Sequence, residues 1–236
     1  MSYNLLSFSN PKIQKSNKVY QDYLTAILHL HPISTKICPY QDIAGCKEAC
    51  LNTAGRGGIM KKGETTNVIQ EARKRKTKLY LEARDIFMSY LVTDITKFVN
   101  YCKKKDKLPC LRLNGTSDIQ WETIKIDDKN IFEMFPDVQF YDYTKIPTRK
   151  VDKHSNYHLT WSYSEANKKY SEYFKTIDYN IAVVFSGDMP IYFKGREVVN
   201  GDETDMRFFD KPNVVVGLKA KGKAKQDSSG FVIHTI

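Results

Sequence analysis

From Pro109 onward the apolar residues fall into short blocks separated by polar turns: Cys110–Leu113, Val138–Tyr141, Tyr157–Trp161, Asn180–Phe185 and Val214–Gly217. Blocks of this length, bounded by Gly, Asn, Asp and Ser, read as strands. The stretches around Lys129 to Phe135 and Ser164 to Lys175 leave room for a helical turn or more. Strands that alternate with helical segments pair in parallel, and a parallel sheet must be covered on both faces. The expected fold is therefore α/β, an irregular or incomplete (β/α) barrel-like domain with mainly parallel strands. Irregularity is expected because several connections after Ser186 are too short for full helices.

The first half reads differently. Leu5 to Asn10 suggests a short strand ending at a turn by Pro11, and Tyr23 to Pro32 a buried strand or short helix stopped by proline. Thr66-Asn67 can cap a helix from Val68 to about Leu81, and Glu82 to Lys105 carries Ile86, Phe87, Tyr90, Leu91, Ile95, Phe98, Val99 and Cys102 at helical spacing. We expect a single α/β domain over 1–236, with a long Cys-containing loop 33–63, a basic helical pair 66–105, a strand-rich half 109–217 and a lysine-rich segment 218–236. With 41% hydrophobic residues, 15 Tyr and 12 Phe, the chain has the material for a core and is not disordered. No apolar run approaches the roughly 20 residues of a membrane span, and Met1 to Leu6 lacks the layout of a secretory signal. A cytoplasmic protein without a membrane partner is expected; the oligomeric state is not legible.

The net charge of +10 is unevenly placed, with 14 Lys and Arg against 6 Asp and Glu between Arg56 and Lys107. In the second cluster, Lys219, Lys221, Lys223 and Lys225 alternate with small or apolar residues, which on an extended strand puts every ammonium on one side. Such rows suit a phosphate backbone, whose condensed counterions they displace. Arg56, Arg73, Lys74, Arg75, Lys145, Arg149, Lys219, Lys221 and Lys223 are the candidate nucleic-acid contacts, with DNA placed ahead of RNA. The competing account is a solvated face.

Five cysteines in a chain without a signal make a disulfide framework improbable. Cys46 and Cys50 lie one helical turn apart and Cys38 precedes them, so three thiols can converge on one point. Three cysteine ligands with an open fourth position suit zinc or an iron–sulfur cluster; the alternative is buried free thiols.

Carboxylates follow three predicted strands, at Asp118, Asp142 and Asp188. The carboxyl ends of parallel strands open onto a shared face where ligands bind. Asp118 and Asp142 are the candidate catalytic pair, one as nucleophile or base and the other with a raised pKa. Each can equally serve as a turn or helix cap. Asn114, Ser117, Tyr143, His158, Trp161 and Asp188 complete the candidate substrate pocket, with Tyr143 and Trp161 as stacking partners for an unpaired base.

A resemblance adds to these readings. Cys38-Pro39 with Cys46 and Cys50, Asn52 to Gly57, Arg112 to Ile119 with Trp121, Phe140 to Lys145, Asn156 to Thr160 and Gly217 to Ala224 together resemble the phage gene-product-88 family over most of the chain. The resemblance implies a phage origin and a role in the cytoplasm of an infected bacterium, and no particular activity. Two weaker resemblances concern barrel-type enzymes. The cysteine triad is similar in kind to radical enzymes that use S-adenosylmethionine, though its spacing differs. The strand-end aspartates resemble transglycosylases that exchange guanine for a deazaguanine, whose zinc cysteines come late in the chain, not early. The sequence thus points to a nucleic-acid-modifying enzyme of base-exchange type, taking a modified guanine or another small base. The alternatives are an iron–sulfur radical or redox enzyme, and a non-catalytic nucleic-acid-binding protein.

Overall fold

The computed structural model describes residues 4–8, 11–32 and 34–235. In it the expected strands assemble into one large sheet. Its strands are β1 (Leu6–Ser7), β2 (Tyr23–Leu28), β3 (Leu108–Arg112), β6 (Gln139–Thr144), β7 (Tyr157–Ser162), β8 (Ile181–Phe185), β9 (Tyr192–Phe193), β10 (Arg196–Asn200), β11 (Val215–Lys219) and β12 (Val232–Ile233). The order is β1-β2-β3-β6-β7-β8-β11-β10-β9, with β12 also on β8. Every pairing is parallel except β1 with β2 and β9 with β10. A separate small hairpin joins β4 (Lys125–Ile126) to β5 (Lys129–Asn130). Among the described residues no pairing joins β1 to β9, so the barrel-like part of the expectation reduces to a large, mostly parallel open sheet. The short connection after Ser186 holds the β9–β10 hairpin in place of a helix.

Within the segment Tyr23 to Pro32, residues Tyr23–Leu28 form a strand, five of them in register with β3. Ser9 and Asn10, part of the expected first turn, lie outside the described residues. The helices are α1 (Pro11–Val19), α2 (Val68–Glu82), α3 (Arg84–Lys104), α4 (Ile131–Met134) and α5 (Lys168–Glu172). The side chain of Asn67 accepts from the N–H groups of Ile69 and Gln70 and caps α2, as its position before the first helical residue requires. One stripe of α3, namely Phe87, Met88, Leu91, Ile95, Phe98 and Cys102, buries against Leu28, Leu111, Leu113 and Phe140 of the sheet. Asp94 sits on that stripe yet is satisfied: its carboxylate accepts from the N–H of Leu5 at 2.6 Å, which fixes the edge strand β1. Among the described residues no helix is long and apolar enough to cross a membrane.

The lysine alternation does not form one extended row. β11 ends at Lys219, and Gly222, at φ +58°, opens a 3-10 turn over Gly222–Gln226. Positive φ breaks the extended backbone that the alternation needed.

Candidate functional site

Asp118 and Asp142, far apart in sequence, end up in one buried network on the helix-covered face of the sheet. Asp142 leaves β6 pointing at the turn after β3, where the N–H of Asn114 donates to its Oδ1 at 2.8 Å and Asn114 Nδ2 to its Oδ2 at 3.2 Å. The hydroxyl of Tyr157 donates to the same Oδ2 at 3.3 Å and accepts from Arg149 Nη2 at 2.7 Å. Arg149 then reaches Asp118 at 3.3 Å and grips Glu122 with two bonds of 2.8 and 2.7 Å. Thr144 Oγ1 at 2.8 Å and the N–H of Lys145 at 2.7 Å complete the shell of Asp118. Asn114 Oδ1 accepts from Ser117 Oγ, the Ile119 N–H and Trp121 Nε1. The turn passes close to β2: a Cβ at Gly115 would meet Leu28 O at 2.7 Å, so a side chain there would push the turn away.

Burial raises the pKa of both carboxyls, Asp142 to about 7, against the opposing pull of Arg112 and Arg149 on Asp142 and of Arg149 on Asp118. Asp142 is 1% exposed and Asp118 6%, so neither faces solvent. A cavity of about 390 Å³ at the amino ends of β7 and β8 is lined by Arg149 and Tyr157, which contact the pair.

The other proposed pocket residues separate. Asp188 lies exposed on the loop after β8, 3.8 Å from Lys219, and does not join the two acids. The β6–β7 register aligns Thr144 with Trp161 and Tyr143 with Thr160, so Trp161 and Tyr143 lie on opposite faces of the sheet. Trp161 is fully buried among Tyr163, Tyr170 and Ile181 and is no stacking platform; Tyr143 and His158 belong to the other face.

The Cys-containing loop packs across the carboxyl ends of the strands. Asp118 N–H donates to Ile37 O, and Ser164 Oγ donates to Ala44 O. Cys38, Cys46 and Cys50 are partly buried, and burial raises the pKa of each, Cys50 to about 11. Cys46 and Cys50 lie near enough to Cys38 to push its thiol up further. Cys46 Sγ donates to Gln41 O, and Cys50 Sγ accepts from the Asn52 N–H. Among the described residues no group of three His, Cys, Asp or Glu is arranged to hold one ion.

The basic residues divide. Arg149 is fully enclosed by its ion pairs, Lys145 turns its ammonium toward Tyr163 O at 3.1 Å, and Arg73 holds Asn52 at 2.8 Å. Arg56, Arg75, Lys219, Lys221 and Lys223 are exposed, and Lys74 is half-buried against Glu71. The turn at Leu51–Thr53 packs on the turn at Gly222–Gln226, where a Cβ on Gly222 would meet Thr53 O at 3.0 Å. Arg56 and the C-terminal lysines thus share one rim beyond the carboxyl end of the sheet. Arg56, Gly57 and Ile59 carbonyls accept from Asn67 Nδ2, which straps the Gly-rich turn to α2 and turns those carbonyls away from any phosphate.

A second buried cluster, unforeseen in the sequence, occupies the other face. Arg112 pairs with Asp205 at 3.0 Å and lies 4.7 Å from the Tyr143 ring, while Arg207 pairs with Asp210 at 3.2 Å. Residues 201–210 carry Asp205 and Arg207 across β3, β6 and β7. The one available signal was Arg112 itself, a charge inside an apolar strand.

No curated protein and no solved structure matches this chain. The phage family described as Gene product 88 does match it, over residues 4–235, and the chain belongs to that family.

Proposed function

We propose that this phage protein binds a nucleic acid, DNA in the first instance, across the rim formed by Arg56, Lys219, Lys221, Lys223 and Lys225. The observation that carries the reading is the packing of the Leu51–Thr53 turn on the Gly222–Gln226 turn, which joins two basic clusters remote in sequence. The rim lies beyond the carboxyl ends of parallel strands, where ligands of such sheets gather. Lysines on an exposed turn can neutralise phosphates and release counterions. Reversing Lys221, Lys223 and Lys225 to Glu together is expected to weaken binding of a short DNA duplex and to reduce the slope of log affinity against log salt by about one per lost phosphate contact. Unchanged affinity and slope in that variant would refute the reading.

Base exchange is the second reading, favoured by one observation: Tyr157 and Arg149, which contact Asp142 and Asp118, line the cavity at the amino ends of β7 and β8. In it one acid attacks the sugar C1′ as the glycosidic bond breaks, and the other moves the proton. Asp142→Asn and Asp118→Asn should each abolish incorporation of a modified base into DNA or RNA of expressing cells, read by nucleoside mass spectrometry. A metal on Cys38, Cys46 and Cys50 would require the three sulfurs to be drawn together, and metal analysis of the purified protein tests it.

A further inference from the structure

The basic rim also carries aliphatic side chains left at the surface. Leu51 is 47% exposed, Ile59 69% and Val68 83%. Isolated apolar residues on a surface are ordinary, but these three are gathered by the backbone that bears them. The Leu51–Thr53 turn carries the Gly55–Gly58 turn, where a Cβ on Gly58 would collide with Thr53 O. Asn67, the residue before Val68, donates through Nδ2 to Arg56 O, Gly57 O and Ile59 O, the last at 2.8 Å. The patch borders the C-terminal lysines, because Gly222 packs on Thr53 and Ala54.

Ile59 is held out on a fixed backbone. Gln70 Nε2, buried on α2, donates to Gly57 O at 2.7 Å, and the Ile59 N–H donates to Arg56 O at 3.4 Å. Directly after that turn Ile59 is extended, at φ −82° and ψ 111°. A β-branched side chain on a strapped backbone has little conformational freedom left to lose when a partner covers it.

Charge selects the partner. Arg56 precedes Ile59 and Lys61 and Lys62 follow it, all exposed, and the segment 51–68 sets these three cations against one acid, Glu64. An aliphatic group between cations suits a ligand with phosphates on either side of an apolar interior. Duplex DNA has that cross-section, with its backbone outside and its stacked bases within. Proteins that meet the minor groove insert Ile, Leu, Met or Phe between base steps while Arg and Lys hold the flanking phosphates. Such kinks form most readily at pyrimidine–purine steps such as TA.

We propose that Ile59 is a wedge that enters the minor groove of duplex DNA and parts a base step, with Arg56, Lys61 and Lys62 on the phosphates beside it. The inference rests on the reading of the rim as a DNA site and adds a base contact and a bend to it. Fluorescence energy transfer between dyes at the two ends of a short duplex, with either a TA step or an A-tract at its centre, tests it on the full chain. The wild type is expected to draw the ends together and to bind the TA duplex several-fold more tightly than the A-tract duplex. Ile59→Ala, at an exposed position, keeps its melting temperature and its slope of log affinity against log salt. It loses the bend and binds the TA duplex about tenfold more weakly. Ile59→Met retains a long apolar side chain and should retain the bend. Charge reversal at Lys221, Lys223 and Lys225, by contrast, lowers the salt slope. Salt-dependent binding with ends that stay apart, or with affinity and bend unchanged in Ile59→Ala, overturns the wedge and leaves the rim standing. Wild-type affinity that does not vary with salt overturns both.

Discussion

The two faces of the central sheet both bury arginine beside carboxylate, and they differ in how completely those groups are bonded. On the helix-covered face, Asp118, Asp142, Glu122 and Arg149 are tied together through Asn114, Thr144, Tyr157 and backbone N–H groups. On the other face, Arg112 and Arg207 are ion-paired with Asp205 and Asp210, but Arg207 Nε, His158 Nε2 and the fully buried Thr160 hydroxyl make no hydrogen bond. A saturated network rigidifies the turns it joins, whereas an under-bonded one is a reservoir of interaction energy for a partner or a change of shape. Carboxylates at strand ends looked like the chemistry of this chain; the geometry gives the first network the work of fixing the 113–122 turn and the 145–149 loop.

Removing Arg149 should have the largest effect. Arg149→Met leaves Asp118 and Glu122 buried without their cation, and loss of one partner of such a group destabilises by about 3–5 kcal/mol. Urea unfolding would measure it. Arg207→Met, which removes the pair with the partly exposed Asp210 and one bond to Thr204 O, should cost clearly less. Equal losses would break the distinction between the faces.

Asn114→Ala comes next. One amide oxygen accepts three bonds and Nδ2 donates to Ile119 O and Asp142, so the turn after β3 loses its organiser, at about 2–3 kcal/mol. A loss below about 0.5 kcal/mol would mean that the turn holds itself.

Much of this architecture was legible. Parallel strands, the helical pair and the Asn67 cap follow from period, length and capping chemistry, which are local properties. The partition of faces followed too: alternation separates Tyr157, Leu159 and Trp161 from His158 and Thr160. It did not say which face is enclosed by helices and which by a loop. That depends on residues 201–210 returning over β3, a contact more than 90 positions away that no local pattern records. The lysine row failed because one glycine, Gly222, takes a positive φ to pack on the distant Thr53. The pooling of Tyr143, Trp161 and Asp188 into one pocket failed because strand-end position was weighed without side-chain direction.

Acidity offers a gentler test. The carboxyl of Asp142 holds its proton up to about 7 in the fold, against an ordinary value of 3.8, because burial opposes its charge. The folded chain therefore binds more protons than the unfolded one between those values, and stability contributed by this group falls as pH rises from about 4 to about 7. Asp142→Asn should flatten stability against pH across that window. An unchanged slope would assign the acid dependence to Asp118 and Asp210, whose pKa burial also raises.

The finest comparison uses two threonines that differ by face and little else. Thr144 is 1% exposed and donates to Asp118 at 2.8 Å; Thr160, on the adjacent strand, is 0% exposed and its hydroxyl makes no hydrogen bond. Valine replaces the hydroxyl with a methyl of nearly equal volume in both places, so packing is held constant and the change reports the bond alone. Thr144→Val strips a donor from a buried carboxylate and should destabilise by about 1.5–3 kcal/mol. Thr160→Val removes an unpaired polar atom from an apolar enclosure and should leave stability unchanged or raise it by up to about 1 kcal/mol. Matched losses at the two positions would mean that Thr160 is as fully bonded as Thr144, and the second face would then be structural like the first.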